Sequence, residues 1–171
     1  ARTDYILTYP QYWSFRLTGQ ARSEATSLGC HTDLWQPETG QFSSLVGRML
    51  PKTLFPPIAK ASDVFALSSA AAQATGLRPG IPVTCGIHDS NASLVPWLNS
   101  GHPLSVVSSG TWTIVMSLGV SPGVMDAGRD MLANVDALGR PTPTARFMGG
   151  RDHDLLTKGC DGAASFSDIA T

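Results

Sequence analysis

Cysteine, charge and long apolar runs are all scarce in this chain, and each scarcity removes a class of protein. Three cysteines, Cys30, Cys85 and Cys160, stand far apart in 171 residues, and none forms a Cys-x-x-Cys pair. That excludes a zinc knuckle or a disulfide framework and points to reduced, buried thiols in a cytoplasmic protein. Charged residues make up 15% of the chain and leave a net charge of −1, so there is no electrostatic reason to expect nucleic acid or an anionic membrane as partner. No apolar run approaches the roughly 20 residues a membrane helix needs. The first residues, Ala1-Arg2-Thr3-Asp4-Tyr5, lack the basic-then-apolar layout of a signal peptide. The G-x-S-x-G elbow of serine hydrolases, the Walker phosphate loop and the Rossmann glycine fingerprint are absent as well.

What is present is an alternation of short helix and strand signals. Residues 8–18 read as a helix with Thr8 as cap, Pro10 in the first turn, Gly19 at the end, and Tyr12, Phe15 and Leu17 as its apolar face. Residues 20–42 are polar and irregular, with turn signals at Gly29 and Glu38-Thr39-Gly40. A second helix is expected over 43–50, ended by Pro51, then an extended apolar connector at 54–58. Beyond it come a strand at 64–67, a helix over 70–75 capped by Ser69 and closed by Gly76, a buried strand at 82–86 and a helix over 90–98. Asn99-Ser100-Gly101-His102-Pro103 is a turn and a candidate domain boundary. Strands at 104–108 and 112–118 form a hairpin bent at Gly110-Thr111; past Pro122 the pattern weakens to one strand near 132–135. The chain starts without Met, and from Arg151 to Thr171 it turns Gly-, Asp-, Ser- and Ala-rich without a capping element, the expectation being a segment of something longer.

Two stretches carry chemistry. Gly86-Ile87-His88-Asp89-Ser90-Asn91-Ala92 places a carboxylate where a strand gives way to a helix, the position at which open α/β sheets bind ligands. Asp89 is a candidate general base for a hydroxyl, or else the cap of the helix that follows. His88 can bind a substrate hydroxyl, orient Asp89, or be a buried histidine satisfied by backbone. The second stretch, Ser108-Ser109-Gly110-Thr111-Trp112, can offer backbone N–H groups and hydroxyls to a phosphate, or be an ordinary hairpin turn. Trp112 is either an aromatic wall for a sugar or, the safer reading for a Trp opening a strand, core. Arg151-Asp152-His153-Asp154 and His31-Thr32-Asp33 invite a metal reading, but ligands must converge from several elements, so solvated loops are favoured.

Taken in order, Pro10-Gln11-Tyr12-Trp13, Arg16-Leu17-Thr18-Gly19, Gly76-Leu77, Gly80-Ile81-Pro82-Val83, the Gly-x-x-Asp segment and Ser109-Gly110-Thr111-Trp112 resemble the FGGY family of carbohydrate kinases over roughly residues 5–120. His88-Asp89 with Ser109-Gly110-Thr111-Trp112 looks most like the branch acting on deoxyketoses such as rhamnulose and fuculose. Asn134-Val135-Asp136 and Phe147-Met148-Gly149-Gly150-Arg151 look similar to uncharacterised members. The resemblance implies an α/β fold, part of a two-domain, actin-like (ribonuclease H-like) ATPase that is incomplete in this chain. Residues 1–100 would close the sugar-binding domain and 101–171 begin the nucleotide-binding one. It implies Asp89 as the base on the sugar hydroxyl, and Ser109, Gly110 and Thr111 as the turn on the β- and γ-phosphates of Mg-ATP. His88, Ser90 and Trp112 would touch substrate. Mg2+ would be held mainly through ATP, near Asp89, with no protein metal site.

The family's first phosphate motif, Asp-x-Gly-Thr, and its adenosine-binding glycine segment are not in these residues. The resemblance therefore implies that the remainder of the kinase chain is a necessary partner, that much of the sugar-reading set lies outside this segment, and that the segment alone is inactive. Two other readings compete with it. One is a metal-dependent phosphohydrolase built on His88-Asp89, for which only His31, His102 and His153 remain as further histidines. The other is a non-catalytic remnant that binds sugar or protein.

Overall fold

Pro10 and Gly19 bracket the first helix, one fixing its opening turn and the other its end. In the computed structural model, which describes residues 3–101 and 103–158, α1 spans Tyr9–Thr18 and Gly19 closes it in the left-handed conformation (φ 74°). Cys160, His102 and the Gly-, Asp-, Ser- and Ala-rich stretch from 159 on lie outside the described residues, as does the His31 side chain. The face α1 buries is not the expected apolar one. Gln11, Ser14 and Thr18 are buried, whereas Tyr9, Tyr12 and Trp13 are exposed. The reason is its neighbour. Gln11 Nε2 donates to the carbonyls of Cys85 (3.4 Å) and Gly86 (3.3 Å), and Ser14 Oγ donates to that of Thr84 (3.4 Å). Side chains that satisfy open backbone belong inside even when polar. Thr8 occupies the cap position but its hydroxyl donates to the Gln11 side chain instead of accepting a helix amide.

The stretch 20–42, expected to be irregular, holds β1 (Ser23–Glu24), α2 (Ala25–His31), β2 (Trp35–Gln36) and β3 (Gln41–Phe42). α2 has no apolar stripe to announce it. It is held by Glu24, whose buried carboxylate accepts from the N–H of Thr26 (2.9 Å) and Ser27 (3.1 Å) and from the Thr26 hydroxyl (2.6 Å). The helix expected over 43–50 does not form. Gly47 is left-handed (φ 94°) and its N–H returns to the Leu50 carbonyl, so the segment closes as turns. A 3-10 turn at Lys52–Leu54 leads through extended residues to β4 (Ile58–Ala59), which pairs in parallel with β1.

β5 (Val64–Ala66) and β6 (Pro82–Thr84) form a two-stranded antiparallel pair; β6 alternates exposed and half-buried residues and is not the buried strand expected. Between them α3 (Ser69–Thr75) is capped by Ser68, one residue earlier than expected, and ended by left-handed Gly76. α4 (Asp89–Ala92) is a single turn followed by a 3-10 turn at Val95–Trp97. The expected continuous helix over 90–98 breaks there because Pro96 has no N–H to donate.

The remainder is β7 (Leu104–Ser108), β8 (Thr113–Leu118), β9 (Met131–Val135), β10 (Pro141–Phe147) and α5 (Gly149–Thr157). β7 and β8 form the expected hairpin. The sheet is antiparallel throughout, in the order β7-β8-β10-β9. β10 is hidden in the sequence because Pro141 and Pro143 argue against a central strand. Its pairing explains them: β8 joins β10 from Thr144 onward, so the prolines face no partner on that side. Arg151-Asp152-His153-Asp154 lies on the solvent-exposed helix α5, not in a loop.

Opposite residues in a sheet share a face. Val106, Met116, Thr144 and Leu132 form one such row, and Ser108, Ile114 and Arg146 form the next. This face covers the core of Leu94, Met116 and Leu118. A second core gathers Leu28, Trp35, Phe55 and Val135, so β9 touches both regions of the chain. Gly29 makes that contact possible: a Cβ on it would meet Val135 Cγ2 at 3.0 Å.

Candidate active site

Toward the Ser108–Ile114–Arg146 row the apolar sheet face runs out and a cleft of about 410 Å3 opens. Its sheet wall is formed by Ser108, Ile114, Leu132, Asn134, Thr144 and Arg146. His88, Asp89 and Ser90 supply the other wall, with Cys30 also lining the cleft and Ser109, Gly110 and Trp112 at the turn.

His88 is nearly buried and fastened from three sides. Its N–H donates to Thr26 Oγ1 (3.1 Å), tying it to the Glu24-capped helix, and its Nδ1 lies 2.7 Å from Asn91 Oδ1. Asn91 is fully buried; its Nδ2 donates to Asn134 Oδ1 (3.0 Å) and to the Val135 carbonyl (2.5 Å). A carbonyl can only accept, so the Asn91 amide is oriented with Oδ1 toward His88, and Nδ1 carries the hydrogen. The Nε2 edge then faces Asp89, 3.2 Å from Oδ1.

Asp89 is the opposite case: its side chain is 93% exposed. Its Oδ1 accepts the Ser90 N–H (2.6 Å), while the helix cap position is filled by His88. A carboxylate left in solvent at a fixed backbone position can receive a proton from a bound hydroxyl.

Ser109 and Gly110 are exposed at the turn; Thr111 does not line the cleft, and its carbonyl accepts the Gly150 N–H (3.3 Å). Gly149 and Gly150 allow α5 to sit against this turn. A Cβ on Gly150 would lie 2.8 Å from the Gly110 carbonyl oxygen, and one on Gly149 would lie 2.2 Å from Thr113 Oγ1. Trp112 is not core as expected. It is 44% exposed, lines the cleft, and has the Arg146 guanidinium 5.9 Å from its ring centre.

Thus His88, Asp89, Ser90, Ser109, Gly110 and Trp112 come together, and Thr111, exposed at the same turn, does not line the cleft. Sequence reasoning missed Cys30 and Arg146 as cleft residues, and Asn134 had entered only as part of a resemblance. The available signal was the alternation Thr142, Thr144, Arg146 in a strand disguised by prolines. Burial raises the Cys30 thiol pKa above its ordinary value; the hydrogen bond with Asn134 opposes this, Asp89 adds to it and Arg146 opposes it. Burial, with help from Glu24, pushes Cys85 up to about 11, so both remain unreactive thiols near neutrality. No three His, Cys, Asp or Glu side chains gather as a metal site among the described residues, and no helix among them is long and apolar enough to cross a membrane.

The mixed α/β frame that carries this cleft is shared with sugar kinases of the actin-like ATPase fold. The structure superposes on that of a carbohydrate kinase from Novosphingobium aromaticivorans with a TM-score of 0.82 and 44% identity, covering 90% of this chain and 35% of that one. It shares the fold of a Plasmodium falciparum glycerol kinase solved with ADP, with a TM-score of 0.63 and 16% identity, over 88% of this chain and 31% of that one. Over 108 residues it is 35% identical to the L-fuculokinase of Salmonella typhi, a match covering 59% of this chain and 22% of that protein. Residues 101–170 match the family model described as "Carbohydrate kinase FGGY, C-terminal domain". Over these residues the chain is similar to the FGGY carbohydrate kinases, and it spans about a third of the length of these solved structures.

Proposed function

We propose that this chain forms part of an ATP-dependent kinase that phosphorylates a hydroxyl of a ketose or deoxyketose. The observation that carries the reading is the single cleft shared by Asp89 and the Ser109-Gly110 turn, which come from two separately built segments. Phosphoryl transfer requires little covalent chemistry from the protein; it requires an oriented hydroxyl and a held phosphate.

In this mechanism Asp89 accepts the proton of the sugar hydroxyl as its oxygen bonds to the γ-phosphorus of ATP, while the bond from that phosphorus to the bridging oxygen breaks and ADP leaves with the electron pair. His88, locked by Thr26 and Asn91, fixes the position from which Asp89 acts and presents its Nε2 edge toward the same space. Ser90 and Trp112 flank the sugar, the indole offering an apolar face to its ring. The backbone N–H groups at Ser109 and Gly110 receive phosphate oxygens, and the room above Gly110 suits them: the one atom near a Cβ built there is the Trp112 carbonyl oxygen, at 3.8 Å. Magnesium bound with the nucleotide would neutralise phosphate charge, and Asp89 is the one carboxylate among the described cleft residues able to approach it. The remainder of the kinase chain supplies the other nucleotide contacts, with a domain boundary near 99–103 about which closure excludes water.

The test is turnover by the full-length protein in a coupled ADP-release assay across ketoses and deoxyketoses. Asp89→Asn should lower kcat by about 10²–10⁴-fold, the usual worth of a positioned base, with its thermal midpoint unchanged because the side chain is exposed. Turnover within about tenfold of the parent ends the assignment of Asp89 as base.

A further inference from the structure

Arg146 has no part in the mechanism above, yet it is the one guanidinium or ammonium group among the described residues lining the cleft. Its place follows from the sheet. It stands opposite Ile114 on β10, two residues beyond Thr144 and on the same face, so the pleat that aims Thr144 inward aims Arg146 at the cleft mouth. Two contacts hold it there without consuming its hydrogen-bonding capacity. The guanidinium lies over the Trp112 ring, and Nε donates to Asp130 Oδ2 at 3.3 Å, an ion pair whose partners are both about half exposed. Asp130 is the one non-glycine with positive φ (51°) among the described residues, in the left-handed region that Asp tolerates better than most. It ends the 3-10 turn at Ala127–Arg129 and opens onto β9, which positions its carboxylate beside Arg146.

We propose that Arg146 is the anion receptor of this cleft, taking the oxygens of the phosphoryl group as it passes from nucleotide to sugar. The inference rests on the kinase reading and adds to it the cation that the Asp89 wall and the glycine turn lack. Phosphoryl transfer gathers negative charge in a site that already holds a carboxylate, and a planar guanidinium matches two phosphate oxygens at once. The indole beneath it keeps the fork flat and oriented, while the exposed Asp130 pair is weak enough to be exchanged for phosphate. Cys30 senses both charges, Asp89 raising its pKa and Arg146 lowering it, as expected for groups on two sides of one cavity.

The experiment is titration of the full-length protein with inorganic phosphate at constant ionic strength, read by tryptophan fluorescence, for the parent, Arg146→Gln and Arg146→Lys. Gluconate serves as the carboxylate control. Arg146→Gln should weaken phosphate binding by about tenfold or more, with Arg146→Lys recovering part of the loss and the thermal midpoint of both unchanged. Gluconate should bind more weakly than phosphate. The proposal is overturned if the parent does not bind phosphate, or if Arg146→Gln binds it within about twofold of the parent. It is also overturned if gluconate binds more tightly than phosphate and is lost with the same substitution, which would make the site a receptor for acidic sugars. Binding is measured without turnover. A protein that binds phosphate through Arg146 but never consumes ATP therefore overturns the kinase reading alone.

Discussion

The two walls of the cleft are built on opposite principles. The His88-Asp89 wall is backed by buried polar groups: Glu24 caps α2, Thr26 holds His88, and Asn91 is clasped by Asn134 and the Val135 carbonyl. The sheet wall is backed by Leu94, Met116 and Leu118, and its working groups, Ser109, Gly110, Trp112 and Arg146, sit at the exposed end. Hydrogen bonds are directional and fix one geometry, whereas apolar packing fixes a layer and leaves its rim free to adjust. A base must be held in place before the hydroxyl arrives. A phosphate turn must follow a ligand that moves, so the contrast suits the proposed division of labour.

Breaking the contrast should have graded effects. The largest is on chemistry, through Asp89→Asn, which leaves both walls standing and removes the proton acceptor. Next is Asn91→Ala, which takes the amide donor from the buried Val135 carbonyl and one partner each from His88 Nδ1 and from Asn134 Oδ1, which keeps the Val135 N–H. With each unpaired group costing about 1–3 kcal/mol, a loss of about 3 kcal/mol is expected in urea unfolding, and a loss below about 1 kcal/mol would show that the polar backing is not what holds this wall.

The sheet wall should answer differently. Gly150→Ala forces a methyl to within 2.8 Å of the Gly110 carbonyl oxygen, displacing the turn and not the core. Calorimetry on the full-length protein should find nucleotide binding weakened by about tenfold and sugar binding unchanged; equal losses would deny the turn its role. Thr111→Val should act in the same sense but less, because Thr111 is not among the residues that line the cleft. The smallest effect is a titration. Cys85 has its folded pKa raised from 9.0 to about 11, so the stability it contributes is complete below pH 9 and is lost as pH rises toward 11. Cys85→Ala should flatten the fall in urea midpoint over that window.

Legibility followed the same division. The β7–β8 hairpin, α3 and the helix ended by Gly19 were readable because apolar alternation and left-handed glycines are local signals. So was the meeting of Asp89 with Ser109-Gly110, which the ordered resemblance implied. The polar wall was not readable. α2 is held by a buried Glu24 and carries Thr26 and Ser27 inside, and α1 turns Gln11 and Ser14 inward to meet the backbone at 84–86. Hydrophobic periodicity is blind to an element whose buried side is polar. The segment at 43–50 failed for the converse reason: its apolar residues are real, but Gly47 turns the chain before a helix can run.

The most direct test of the central claim is hydrogen exchange on the full-length protein with Mg-ADP and with its ketose substrate added separately. The account predicts that nucleotide slows exchange at 108–111 while leaving 87–91 unchanged, and that sugar does the reverse. Nucleotide that protects 87–91 and leaves 108–111 untouched would contradict it.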